Sequence, residues 1–478
     1  IEYLLNKVPP DSRNTVLKNL IIKSLLTISN PPVQKNKNEK IFFDLKIEYL
    51  ERAANYNEIE KLFSLIPEDD LNDDLLKKYI TSKLINGDYK SICRLDSQIS
   101  EGKFKLEINS FCKAMSNNLP ALDLMISLLI EEDIADKDLL YIYYSYINQT
   151  EIDLKRIKNI DIKKINLISN LGIDFSEYID ENSPLELQLF FIYSKLKVED
   201  KKVVLAENLL STSTLESSVL GDLYKQHFTG SNLNTSVDYL NMESSMKKRV
   251  GIYNLIRSTS DQSKLPKLLS LYVDEMGSQK LLLNSANLVY DKAKIITPKQ
   301  SYKNDVLPIC LILLINDDIE KCKEWLDALT FDKESKETIK KIKFYLFLKT
   351  DDDQIKSSVL NNAENYVNLE NLDDLDKNII AKFFSLRQEN QFLEFWRSKN
   401  DMSRTSGITI NIKLIEYLNQ IKDISVGEAI LLSSIIYGNN NEHSKDVYAL
   451  FSIIKTLEVI NPSFTDEFLF EYFANNLI

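Results

Sequence analysis

The residues that could do chemistry in this chain are few. His227 and His443 are its only histidines in 478 residues, which leaves little material for a metal centre or an acid–base relay. Neither has a second His or a Cys at ligand spacing, so no zinc site is expected. His227, in "LYKQHFTG", could serve a Ser or Cys nucleophile, but no GxSxG elbow accompanies it, and the expected role is that of a helix-end histidine. His443 follows "YGNNNE" and is expected to begin a helix. The acidic runs "EDDLNDDLL" (68–76), "DDDQ" (351–354) and "NLENLDDLD" (368–376) invite a calcium reading. An EF-hand loop needs a turn-forming Gly at its sixth position and a closing Glu at its twelfth, and none of the three has that pair. They read as solvated helix N-termini, where carboxylates complement the helix dipole. The 10 glycines never lie closer together than nine positions, so neither a P-loop nor a dinucleotide fingerprint can be written. No catalytic, cofactor or metal residue is therefore assigned, and a non-enzymatic protein is expected.

The remaining reactive side chains are Cys93, Cys112, Cys310 and Cys322. In the plainest reading all four are small buried hydrophobes. Their placement depends on the elements that carry them. With 44% hydrophobic and 27% charged residues the chain is of the folded, water-exposed kind. Low Gly and Pro with abundant Leu, Ile, Lys, Glu and Asn point to a nearly all-helical protein. A net charge of -12 argues against a nucleic-acid backbone as the partner. The short basic clusters "MKKR" (246–249) and "KKIK" (340–343) read as solvated helix faces. The apolar run "VLPICLILLI" (306–315) is half the length a membrane span requires, so no transmembrane segment is expected. The chain begins at Ile1 and not at Met, so a processed or trimmed N-terminus is expected, with any targeting segment out of view.

Three consecutive segments repeat one pattern. Tyr56, Ile59, Ile47 and Leu62 stand 33 positions before Tyr89, Ile92, Ile80 and Leu95, and Leu119, Leu122 and Met125 follow at an offset of 30. A period near this length is one helix-turn-helix unit that buries its apolar face only by stacking on neighbours. "NGDYKSI" resembles the turn between the two helices of a tetratricopeptide repeat (TPR): Gly87, Asp88, Tyr89 and Ile92 fall on the motif's Gly, Asp, Tyr and small-residue positions. Ile80 and Ile92 stand where that family prefers Gly and Ala, which should spread the helices. The expected architecture is an all-α, TPR-like α-solenoid of stacked helix hairpins with about 20–25 helices. Its expected parts are an N-terminal helical segment (1–30), a TPR-like array (41–228) and a more irregular helical array (246–478). "NPPVQKNKNEK" (30–40) reads as a flexible joint, and a softer break is expected near 229–245. "SGITINIKLI" (406–415) alternates like a strand but stands in a helical context, where helix is expected.

In such an array Cys93 lies on the second helix of one unit and Cys112 on the first helix of the next, side by side after stacking. Cys310 and Cys322 are twelve apart, which the TPR resemblance implies are the closest-approach positions of one hairpin, so they would face one another across it as a possible disulfide. Tyr141, Tyr143, Tyr144 and Tyr146 in "YIYYSYINQ" cannot all face one side of a helix. The exposed ones are candidates for a partner surface that takes a protein or an extended peptide.

Longer stretches carry a second resemblance: "KSICRL" with "INSFCKAMSNN", "DIKKINLISNLGIDF" (161–175), "VVLAENLLSTSTLESSVLGDLY" (203–224), "DIEKCKEWLDAL" (318–329), "GEAILLSSIIYG" (427–438) and "DEFLFEYFANNLI" (466–478). In this order they resemble an uncharacterised, secreted, all-helical family of alphaproteobacteria whose members sometimes carry an "antifreeze" label. The resemblance implies export to the periplasm and no known activity. It also implies cysteines at the places of Cys93 and Cys112, which suits a disulfide in an oxidising compartment. The function expected is a periplasmic, non-enzymatic scaffold for protein–protein interaction in the cell envelope. Two alternatives stand beside it. One is a cell-wall enzyme or its accessory subunit, because superhelical helix arrays also occur in lytic transglycosylases, although their catalytic Glu domain is not legible here. The other is a cytoplasmic helical-repeat subunit of a large complex.

Overall fold

The computed structural model describes residues 2–10, 14–27, 42–66, 72–95, 99–100, 102–133, 136–227, 239, 242–329, 335–367, 369, 372–387, 412–438 and 447–476. Among them every regular element is a helix and there is no strand. No described helix is long and apolar enough to cross a membrane. The joint expected at 30–40 and His443 lie outside the described residues, as does most of the break expected at 229–245. The stretch at 406–415 is helical over its described part, 412–415.

The chain divides into two compact units, residues 28–206 and residues 1–27 together with 207–478. The larger unit opens with α1 (Glu2–Lys7) and α2 (Thr15–Leu26). The smaller unit holds α3 (Phe42–Arg52), α4 (Tyr56–Phe63), α5 (Asp73–Ile85), α6 (Tyr89–Ile92), α7 (Lys103–Met115), α8 (Leu119–Glu131), α9 (Lys137–Asn148), α10 (Ile162–Asn170) and α11 (Leu185–Tyr193). The division falls within α12 (Asp200–Ser211). The larger unit then continues through α13 (Ser217–His227), α14 (Met246–Ser258), α15 (Leu265–Ser278), α16 (Leu282–Ser285), α17 (Tyr290–Lys294), α18 (Val306–Ile315) and α19 (Ile319–Asp327). It ends with α20 (Lys336–Lys349), α21 (Asp353–Leu360), α22 (Ala363–Val367), α23 (Asp374–Arg387), α24 (Ile412–Ile421), α25 (Val426–Gly438), α26 (Val447–Ile460) and α27 (Pro462–Asn476).

These units differ from the expected division into 1–30, 41–228 and 246–478. The N-terminal helices are not a separate segment, because α2 packs on α25 and α27, burying Leu17, Leu20 and Ile21. Such a contact joins residues more than 400 positions apart, which no local pattern announces.

One turn recurs. Ala54, Gly87, Asn117 and Asp317 all take a left-handed conformation, with φ of 52°, 67°, 55° and 58°. The N–H of the following residue, Asn55, Asp88, Asn118 or Asp318, donates back to the carbonyl of Leu50, Lys83, Lys113 or Leu313 at 2.8–2.9 Å. This satisfies a helix-terminal carbonyl that would otherwise be orphaned. The same residue then opens the next helix. Asp88, Asn118 and Asp318 accept from the backbone N–H three residues on, while Asn55 makes no side-chain cap bond. Seven residues before and five after each left-handed position lie Ile47 and Ile59, Ile80 and Ile92, Ser110 and Leu122, and Cys310 and Cys322. None is more than 3% exposed. Each hairpin is thus pinned where its helices meet, and each fully buried Ile or Leu there stabilises by roughly 1.5–3 kcal/mol. Three of these four hairpins belong to the smaller unit and one, α18–α19, to the larger. In the larger unit the same left-handed turn also occurs at Ser213 and Lys280, with the Thr214 and Leu281 N–H groups donating to the Leu209 and Met276 carbonyls at 2.9 and 2.8 Å.

Candidate functional site

In the smaller unit Cys93, the residue that ends α6, is bonded to Cys112 of α7, with Cα atoms 5.7 Å apart. The bond ties the end of one hairpin to the first helix of the next. In the larger unit Cys310 and Cys322 are buried free thiols. The Cys310 Sγ lies 3.9 Å from the Cys322 carbonyl oxygen, and burial followed by the adjoining Cys310 thiol pushes the Cys322 thiol up.

The four tyrosines of α9 divide, and two of them correct the expectation of a partner surface. Tyr143 and Tyr146 are 1% and 4% exposed and belong to the core. The Tyr146 hydroxyl donates to the Leu167 carbonyl at 2.7 Å and accepts from Asn170 Nδ2 at 3.2 Å, and burial pushes its pKa up to about 12. Tyr141 is half-buried: its hydroxyl accepts from the Asp153 N–H at 2.8 Å and its ring lies 5.9 Å from the Arg156 guanidinium. Tyr144 alone is exposed. The physical reason is periodicity. Residues three apart, such as Tyr143 and Tyr146, share one helical face, and Ile142 and Ser145 extend it inward.

The larger apolar exposure lies on α8, which packs against α9. Leu124 is 59% exposed and Ile130 51%, in a helix, "LPALDLMISLLIE", that is apolar on more sides than a single buried stripe requires. Leu122, Ile126 and Leu129 form its buried face. That surplus was the available signal, and the tyrosine cluster drew attention away from it. Leu124, Ile130 and Tyr144 are the candidate contact residues of the smaller unit.

A second candidate is a cavity of about 260 Å³ in the larger unit, with Asn19, Lys23, Asn284, Lys349 and Glu467 around its wall and Glu471 in it. Glu471, on α27, is 4% exposed. Its Oε1 accepts from the Thr15 N–H at 2.6 Å, and its Oε2 from Thr15 Oγ1 at 2.8 Å and the Val16 N–H at 3.1 Å. Burial pushes its pKa up to about 7, against the downward pull of these three donors. Both carboxylate oxygens are thus occupied by the first turn of α2, where a negative charge complements the helix dipole. Glu471 is a cap from the far end of the sequence and not a free base. Lys349 is likewise engaged, 2.6 Å from Asp317 and 5.0 Å above the Phe470 ring.

Charge is also buried away from the cavity. Arg249 makes a bidentate pair with Glu207, Nε to Oε1 at 2.9 Å and Nη2 to Oε2 at 2.5 Å, and Tyr224 donates to Oε1 at 2.5 Å. Lys248 pairs with Glu275 at 2.5 Å and donates to the Met242 carbonyl at 2.9 Å. The "MKKR" cluster is therefore not a solvated face: Lys248 and Arg249 are each 7% exposed and turned into the unit. In the smaller unit Lys202 is 1% exposed. Its ammonium donates to the Ser194 and Leu196 carbonyls at 2.7 and 3.3 Å, and burial pushes its pKa down to about 8. His227 closes α13, half-buried. Among the described residues no group of three or more His, Cys, Asp or Glu is placed to hold a metal ion.

Comparison with protein-family models, with curated proteins and with solved structures gives no match to this chain.

Proposed function

We propose that this protein is a non-enzymatic helical-repeat scaffold that works in an oxidising compartment, the periplasm, and contacts another protein or an extended peptide. Its hairpins would stack as a TPR-like α-solenoid, and it would belong with the exported alphaproteobacterial family that its sequence resembles. The observation that carries the reading is the recurrent hairpin of the smaller unit, whose second and third copies are cross-linked by Cys93–Cys112. A covalent tie of this kind persists where thiols are not kept reduced. Repeated hairpins expose extended surface rather than an enclosed pocket. The contact face proposed is Leu124, Ile130 and Tyr144, exposed apolar side chains on two helices that pack together, because exposed apolar side chains are the usual anchors of a protein partner.

The experiment is photo-crosslinking in intact cells of the native host, with the crosslinker placed beside Leu124. The wild-type chain should give a discrete protein adduct. The Leu124→Asp, Ile130→Asp variant should keep its helical circular dichroism and its Cys93–Cys112 bond but lose that adduct. A folded, oxidised wild-type chain that gives no protein adduct would overturn the scaffold reading. Cys93 recovered as a free thiol from cells lysed into an alkylating agent would overturn the compartment.

A further inference from the structure

We propose that Cys310 and Cys322 form a second disulfide in the native protein, across the α18–α19 hairpin, and that this bond is made while the chain folds. The inference rests on the oxidising compartment proposed above, but its test fails separately. Three observations carry it. The first is register. Cys310 and Cys322 occupy the two positions, seven before and five after a left-handed turn residue, that hold Ile47 and Ile59 or Ile80 and Ile92 in the other hairpins. In every one of these hairpins both positions are buried. The second is proximity: the Cys310 Sγ lies 3.9 Å from the Cys322 carbonyl oxygen, and the two buried thiols adjoin. The third is isolation: both residues are at most 1% exposed, in a hairpin whose first helix is apolar from Val306 to Ile315.

Isolation also fixes the timing. Burial pushes the Cys322 thiol up, so the folded chain offers almost no thiolate to an oxidant. The open hairpin of the folding chain has no such barrier. There one thiolate attacks an external disulfide, oxidised glutathione or the disulfide of an oxidoreductase, and displaces one of its sulfurs as a thiolate. The second cysteine thiolate then attacks the mixed disulfide, closes the Cys310–Cys322 bond and releases the other sulfur. The two protons and two electrons lost by the cysteines end on the external disulfide, which becomes two thiols. Once the hairpin closes, the bond is beyond reach of reductants.

The test uses the full chain from its native host. Cells are lysed into denaturant with an alkylating agent and no reductant, and the peptides containing Cys310 and Cys322 are mapped by mass spectrometry. The expected result is a Cys310–Cys322 cross-linked peptide and no label on either residue. Label on both, with Cys93–Cys112 cross-linked in the same sample, overturns this proposal and leaves the compartment reading intact. Label on all four overturns both. A second arm refolds the reduced chain with oxidised glutathione, added either before folding or after it is complete. Closure of the Cys310–Cys322 bond should be at least tenfold faster in the first case. Equal rates would refute the timing.

Discussion

Two hairpins of the same register, one in each unit, bury different side chains at the same two positions. In α5–α6 the meeting residues are Ile80 and Ile92, the turn residue is Gly87, and the covalent tie runs outward from Cys93 to the next hairpin. In α18–α19 the meeting residues are two cysteines, the turn residue is Asp317, and the hairpin lies in a unit that also buries charge. The smaller unit buries Lys164 beside Asp136 and Asp161, which are both about half exposed. In the larger unit both members of each pair, Arg249 with Glu207 and Lys248 with Glu275, are at most 10% exposed at the side chain. One turn geometry therefore does not bring one kind of stabilisation with it. Backbone hydrogen bonds set the hairpin, and side chains decide whether apolar contact, sulfur or ion pairs hold its surroundings.

The contrast can be broken from the charged side first. Arg249→Met leaves Glu207 buried without its cation and should cost about 3–5 kcal/mol. Trp325 is buried in the larger unit, so guanidinium denaturation followed by tryptophan fluorescence reports on its surroundings. Replacing the group together, with Glu207→Leu, Arg249→Met and Tyr224→Phe, should recover most of the loss. A single variant as stable as the parent would show that the pair is not the anchor its burial implies. On the covalent side, Cys93→Ala with Cys112→Ala releases a cross-link spanning a sequence separation of 19 and should cost about 3 kcal/mol. That loss should appear in the guanidinium transition followed by circular dichroism.

The pH dependence separates the units again. Glu471 has its folded pKa raised from 4.5 to about 7, so the folded chain keeps a proton that the unfolded chain has lost across that interval. Its contribution is fully present below about pH 4.5 and is lost as pH rises through about 7, a span of at most about 3 kcal/mol. Glu471→Gln, which keeps an acceptor and a donor facing Thr15, should reduce the slope of the fluorescence-detected stability over this window, leaving the share of Asp466, whose carboxyl burial pushes up to about 6. A slope identical to the parent's would place the titration elsewhere. The smallest effect concerns the turns. Ala54, with φ of 52°, pays for a side chain that Gly87 lacks, so Ala54→Gly should stabilise and Gly87→Ala destabilise, each by about 1 kcal/mol in thermal melts.

The hairpins of the smaller unit were legible in sequence because their determinants are local. The 33-residue offset aligns Ile47 with Ile80 and Ile59 with Ile92, and all four are buried; Asp88 caps the helix it precedes. The α18–α19 hairpin was legible for the same reason. The contact face proposed above was not. Four tyrosines in six residues stood out, but helical periodicity turns Tyr143 and Tyr146 inward, and the surplus of Leu and Ile on α8 was the quieter, better signal. "MKKR" misled similarly, since charge in sequence says nothing of a partner carboxylate 42 positions away, as Glu207 is from Arg249.

Composition and short-range spacing by themselves determined that the chain is helical, where its N-terminal hairpins turn, and which residues pin them, because a helix and its caps are satisfied within a few residues of backbone. Only the tertiary structure decided that the first two helices join the last ones in one unit, with Glu471 closing α2 from across the sequence. It alone put Arg249 and Lys248 inside. Burial is a property of what packs around a residue, and those neighbours are brought in from tens to hundreds of positions away.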